Sequence, residues 1–310
     1  MPLVRACRAR RTPRMSLLTV RHVTTYRYSE PVRLGEHRMM FRPRESHDLK
    51  LLRTSLSIAP HPARLRWLHD VFDNSIAIAE FEGRTEELRF ESVVTLRHFE
   101  IPLPEYPLEE YASRYPFRYL DEDMPNLARA LAHRYPSGNV REWVSQFLDP
   151  SGTTGTMHLL RSIALGIKSQ FQYKRRGKKG VQSPDETIQS RCGSCRDFAV
   201  LMMEATRSLG VASRFVSGYI FVPGNETSVT SGGATHAWMQ AYLPGAGWID
   251  FDPTNSIVGN RNLIRVAVAW SPEHVLPLWG TFDGSSHSCL GMDVTVGVTE
   301  ETPEQDGPKQ

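Results

Sequence analysis

Long apolar runs are missing from this 310-residue sequence. Nothing in it approaches the roughly 20 consecutive apolar residues of a membrane-spanning helix, so no membrane partner is expected. An excess of one charge is missing too. With 37 basic and 34 acidic residues the net charge is +3, too balanced to argue for a nucleic-acid partner. The 11 histidines add charge only at acid pH. Cysteine is scarce: four residues, of which Cys192 and Cys195 stand three apart, do not make a disulfide framework in a chain of this size. A structural zinc would need two more ligands at ordered spacing, which Cys7 and Cys289 do not supply. A thioredoxin-like reading of Cys192-Gly193-Ser194-Cys195 would need a βαβ context that the pattern lacks. No metal and no cofactor are therefore expected.

What is present is 40% apolar residues and enough length for two modest domains with real cores. Residues 1–14 carry five arginines, no acid and no apolar stretch, which is not a secretory signal. They read as a disordered basic leader, with Met15 the natural start and the cytoplasm the expected location. Residues 15–100 read as a β-rich, sandwich-like module with a turn at Pro31. Residues 101–120 hold four prolines and read as a connector without regular structure. A catalytic domain is expected over 121–298 and a disordered tail over 299–310. Within that domain, helical spacing covers 121–134, 139–148 and 153–171. The basic loop Lys174 to Gly180 reads as solvated.

The chemistry is concentrated in two stretches. In Gly193-Ser194-Cys195-Arg196-Asp197-Phe198-Ala199, Ser194 and Asp197 have the spacing of a capping box. Cys195 then takes the first helical position, where unpaired N–H groups and the positive end of the helix dipole favour a thiolate. The apolar run that follows predicts a buried helix. The other stretch is a hairpin, Ala234 to Tyr242 returning as Trp248 to Pro253 through Pro244-Gly245-Ala246-Gly247. With the turn centred near Pro244, His236 and Asp252 lie opposite each other, ~5 Å apart at Cβ. A thiol, an imidazole and a carboxylate in this order have the types needed for nucleophile, base and orienter. Taken singly, each has a plainer reading: a core cysteine, a structural strand histidine, an Asp-Pro turn.

These motifs, with Thr235-His236-Ala237-Trp238 and Gly247-Trp248-Ile249-Asp250-Phe251-Asp252-Pro253-Thr254-Asn255, resemble the transglutaminase-like superfamily, in the bacterial branch with an N-terminal β module. The resemblance spans roughly 153–255. It implies an α+β, papain-like core in which a helix bearing the Cys packs on an antiparallel sheet carrying His and Asp. It also implies that Cys195, His236 and Asp252 form the triad, with Asp252 rather than Asp250 as third member. The implied activity is thiol-dependent amide acyl transfer on a peptide or protein, as a cysteine peptidase or amidase. A true transglutaminase, passing the acyl group to an amine, is the alternative, and a non-catalytic interaction module the rival class. Gln189, six residues before the thiol, and Tyr173 are the candidate oxyanion donors beside the Cys195 N–H. Trp238, Arg191 and Arg196 are the candidate substrate-binding residues, the two arginines favouring an acidic substrate.

Overall fold

The computed structural model describes residues 15–101, 107–136, 138–176, 180–223 and 235–301. The basic leader, most of the tail and the glycine-containing segment before His236 lie outside the described residues.

The first five strands are β1 (Met15–Met39), β2 (Leu49–Ala59), β3 (Arg64–His69), β4 (Ser75–Glu80) and β5 (Thr85–Phe99). β1 organises them. Its first half lies beside β5 and its last residues beside β4, giving the order β2-β5-β1-β4-β3. The expected turn at Pro31 is absent, and β1 runs through it for 25 residues. The register breaks between Arg27 and Val32, where β1 passes from one set of partners to the other. A proline, which offers no N–H, fits such a break in the ladder. Tyr28, Val32 and Met39 of β1 share one apolar core with Ile58, Ala77, Ala79, Leu88 and Phe90 from both sets of partners.

Among the described residues, two short ladders and five α-helices follow. β6 (Arg114–Tyr115) pairs with β7 (Thr154–Gly155), and β8 (Gln172–Tyr173) with β9 (Cys192–Gly193). The helices are α1 (Met124–Leu131), α2 (Gly138–Ser145), α3 (Thr156–Gln170), α4 (Pro184–Ser190) and α5 (Cys195–Ser208). The prolines of the connector do not exclude regular structure, because residues 110–115 form a 3-10 turn at Glu110–Ala112 and then β6.

A second antiparallel sheet has the order β13-β12-β11-β10-β14. Its strands are β10 (Ser213–Ile220), β11 (His236–Leu243), β12 (Gly247–Asp252), β13 (Ile257–Val258) and β14 (Leu263–Ala269). Ala237, Met239, Ala241 and Phe251 pack against Phe198, Leu201 and Met202 of α5. Tyr219, Phe221, Ile264 and Val266 pack instead against Leu18, Val20, Val94 and Leu96 of the β module. The sheet is thus covered by a buried helix and by the first module, which explains why its strands are buried nearly throughout.

The last two strands correct the expected domain limits. β15 (Leu278–Asp283) and β16 (Cys289–Glu301) both pair with β1. Val294, Val296 and Val298 alternate along β16 and join the apolar layer between the two sheets. These pairings draw 278–301 out of the catalytic region and into the first module, and β16 takes in the first three residues, 299–301, of the expected tail. No described helix is long and apolar enough to cross a membrane.

Candidate active site

α5 begins where the capping residues place it. Cys195 is its first residue, and everything from Asp197 to Arg207 is buried. The Asp197 carboxylate accepts the Ser194 N–H at 2.8 Å and the Ser194 hydroxyl at 2.7 Å. It also accepts the Gln182 N–H at 2.7 Å and lies 3.1 Å from Nε of Arg176. Part of the basic loop is therefore not a solvated run: Arg176 is the counter-ion of a fully buried acid. Four groups converge on Asp197 and fix the helix tip that carries the thiol.

The hairpin delivers the other two groups, with a corrected register. Leu243 pairs with Gly247 and Gln240 with Asp250. Asp252 therefore continues the ladder opposite Trp238, and His236 lies one diagonal away rather than directly across. The tight turn is centred on Gly245, which has φ +86°, one residue beyond Pro244. Diagonal neighbours on one face remain within reach of a long side chain. Nε2 of His236 is 2.8 Å from Oδ2 of Asp252. Asp252 is itself held by the Thr254 N–H at 2.9 Å and by Nδ2 of Asn255 at 2.7 Å. Asn255 also comes within 3.4 Å of the imidazole. The sequence motif contains Asn255 without assigning it a role, and the Asp-Pro-Thr-Asn turn chemistry is the signal for that role.

Charge follows geometry. Burial alone would pull the His236 imidazole down, but the charge and hydrogen bond of Asp252, with the contact to Cys195, raise it to about 10. Burial pushes the Cys195 thiol up. The hydrogen bond and charge of His236, the Ala237 N–H and the charge of Arg196 outweigh it and bring the thiol below its ordinary value. Asp252 is likewise held below the usual range, burial being overcome by His236, Asn255 and the Thr254 N–H. The three groups form one buried set, with Cys195 and His236 stabilised as thiolate and imidazolium.

The remaining candidates divide. Tyr173 pairs across from Gly193 and meets Phe198 edge-on at 6.5 Å. Burial, then the charge of Cys195, raises its phenol, so it stands within the field of the thiol. Arg196 is half-buried beside the thiol. Arg191 ends α4 in the left-handed region and lies over the Phe171 ring at 5.3 Å. Gln189 is exposed on α4, and among the described residues nothing links it to Cys195. Trp238 is 0% exposed, so it is not a substrate-binding surface. Its ring stacks on His236 at 5.8 Å, and its N–H is given to Asp250 at 2.6 Å. Among the described residues no group of three or more His, Cys, Asp or Glu is arranged to hold a metal ion.

Two family descriptions match this chain. The family described as the transglutaminase-like superfamily matches residues 145–253, and the bacterial transglutaminase-like N-terminal region matches 18–97. The chain belongs to the transglutaminase-like superfamily. A superfamily relative of Mycobacterium tuberculosis, an uncharacterized protein, is 27% identical over 295 residues, covering 90% of this chain and 91% of its own. An uncharacterized protein of Mycobacterium leprae is 36% identical over 126 residues, 40% of this chain and 43% of that protein. The protein-glutamine gamma-glutamyltransferase of Pseudomonas aeruginosa is 33% identical over 89 residues, 27% of this chain and 13% of that enzyme. The crystal structure of a proposed cysteine protease from Cytophaga hutchinsonii has a TM-score of 0.67 at 18% identity, covering 93% of this chain and 100% of that one. At that identity the likeness speaks for the fold.

Proposed function

We propose that this protein is a thiol-dependent acyl-transfer enzyme that hydrolyses amide bonds in a peptide or protein. The observation that carries the reading is the buried imidazole of His236, joined to Asp252 through Nε2 and in contact with the Cys195 thiol. In this reading Sγ of Cys195 attacks the carbonyl carbon, and the oxyanion takes the backbone N–H of Cys195. His236 gives its proton to the leaving amine as the C–N bond breaks, and a thioester remains. Water then attacks the thioester while His236 accepts its proton. Release of the acid restores the thiolate. Asp252 holds the ring and offsets its charge.

Water is favoured over an amine as acceptor because the thiol is flanked by positive charge. Arg196 acts on it directly, and Arg175 and Arg196 both act on the neighbouring Tyr173 phenol. A lysine ammonium would meet repulsion there, and an acidic substrate attraction. One observation favours amine transfer instead: the match to a glutamine gamma-glutamyltransferase across part of the chain.

Cys195→Ala and His236→Ala are expected to abolish turnover of a general peptide substrate. Asp252→Asn should lose less, roughly 10²–10⁴-fold. The acceptor is settled by adding excess primary amine and separating products by mass. Free acid should dominate; an amine adduct that outruns it at millimolar amine would establish a transglutaminase. Full activity after blocking Cys195 with iodoacetamide would sink both readings.

A further inference from the structure

Behind His236, on the side of the sheet away from α5, lies a chain of buried polar contacts that the triad does not use. The Trp238 indole N–H is given to Oδ1 of Asp250 at 2.6 Å, and Gln240 adds a second donor to the same oxygen at 2.9 Å. Oδ2 of Asp250 lies 3.9 Å from the Arg265 guanidinium, which also reaches Asp48 of the β module at 3.4 Å. Asp250 is 5% exposed and Trp238 0%. An acid buried so deeply would ordinarily be replaced by a neutral group, because burying a carboxylate is costly even when it is paired. Here its one aromatic partner has its face against the imidazole, with the two rings 26° from parallel.

We propose that Asp250, acting through Trp238, is a positioning residue for His236: it pins the indole against the imidazole and enriches the ring face that the imidazolium meets. The proposal rests on the reading of Cys195 and His236 as a reacting pair. Two physical effects support it. The indole N–H is the only polar atom of Trp238, so its hydrogen bond to Asp250 restricts rotation of the ring about its Cα–Cβ axis. An ionised acceptor on that N–H also pushes electron density into the indole, which strengthens its attraction for a cation on its face. Both effects favour imidazolium over imidazole and hence thiolate over thiol. Other charges face the same groups. His236 is faced by Asp252 from β12 and by Cys195 from α5, with Arg196 acting on the thiol. Asp250 is faced by Arg265 from β14, by Asp48, and by Arg214 from β10, and it acts in turn on His98 of β5. Burial raises the Asp250 carboxyl above its ordinary value, and Arg265 is the largest influence opposing that rise.

The test needs no substrate. Alkylation of Cys195 by iodoacetamide is followed against pH on the Cys195 peptide by mass spectrometry, so that the other thiols do not contribute. The wild-type inflection should lie below the ordinary thiol value of 9.0. Asp250→Asn should raise it by about 0.5–1 pH unit, slowing alkylation roughly 3–10-fold on the acid side. Trp238→Phe keeps a ring on the imidazole but has no N–H for Asp250. It should raise the inflection by itself, and adding Asp250→Asn should raise it no further. A role in folding alone would lower the melting temperature and leave the inflection where it was. An unchanged inflection in folded Asp250→Asn, or shifts that simply add in the double variant, overturns the proposal. If Asp250→Asn does not fold, Trp238→Phe decides, and an unmoved inflection there overturns it. A wild-type inflection at the ordinary thiol value would overturn the reacting-pair reading, and this proposal with it.

Discussion

At Asp197 one carboxylate, with its side chain fully buried, meets two N–H groups, a hydroxyl and a guanidinium. Replacing it by alanine leaves all four without their acceptor, two residues from the thiol. Asp197→Ala is expected to cost about 2–4 kcal/mol in denaturant unfolding, and Asp197→Asn, which keeps one acceptor oxygen, about half of that. A loss within experimental error for the alanine variant would show that the helix tip is held elsewhere. The local part of this site was legible, because Ser194 and Asp197 carry their spacing in four consecutive positions. The Gln182 and Arg176 contacts were not, since they close loops of 15 and 21 residues with no periodic signal. Gln189 failed for a related reason. A six-residue spacing fixes a position only if the backbone between is known, and here the left-handed turn at Arg191 intervenes.

At the scale of elements, the β11–β12 hairpin shows what alternation can and cannot convey. It placed His236 and Asp252 on one face, since side chains alternate whatever the register. It did not place their pairing, because Pro244-Gly245-Ala246-Gly247 accommodates more than one turn and moving the centre by one residue moves the pairing by two. The neighbouring strand β10 is equally demanding at Gly218. A Cβ there would collide with the Ile264 carbonyl and come within 2.7 Å of Cη2 of Trp238. Overpacking against backbone leaves little room for relief. Gly218→Ala should cost about 2–3 kcal/mol and, by displacing Trp238, should also slow Cys195 alkylation near neutral pH. A variant as stable as wild type would mean that β10 and β14 separate more easily than their pairing suggests.

The whole molecule carries three buried histidines in its first module. His22 lies 2.9 Å from the Tyr219 hydroxyl and 3.1 Å from that of Thr24, and burial lowers it from 6.5 to about 4. Burial likewise lowers His37 and His98. The unfolded chain takes up these protons first as pH falls. Stability from these groups is therefore complete above about pH 6.5 and is lost as pH drops towards 4, with His22 contributing on the order of 3 kcal/mol. His236 has the opposite sign: its contribution is complete below 6.5 and is lost as pH rises through about 10. Thermal melts should therefore fall steeply between pH 6.5 and 4, and His22→Gln should flatten part of that slope. A melting temperature constant across the window would contradict the burial of neutral imidazoles. None of this was readable beforehand, because these histidines sit in strands whose alternation marks them as inward-facing but does not name their partners.

The pairing of β16 with β1 has a consequence in the order of events during synthesis. Leu17 lies beside Glu301, and the Ser16 hydroxyl reaches the Glu300 carboxylate at 2.6 Å across 284 residues of chain. The first described strand to leave the ribosome therefore keeps one edge open until the last has been made, and closing so wide a loop is slow. In the meantime the whole catalytic unit must fold as an insertion between β5 and β15. Val20, whose neighbour on β16 is Val298, gains that part of its cover only when the last strand arrives. The nascent module is thus an unfinished clasp around the inserted unit, and it fastens only when β16 is made.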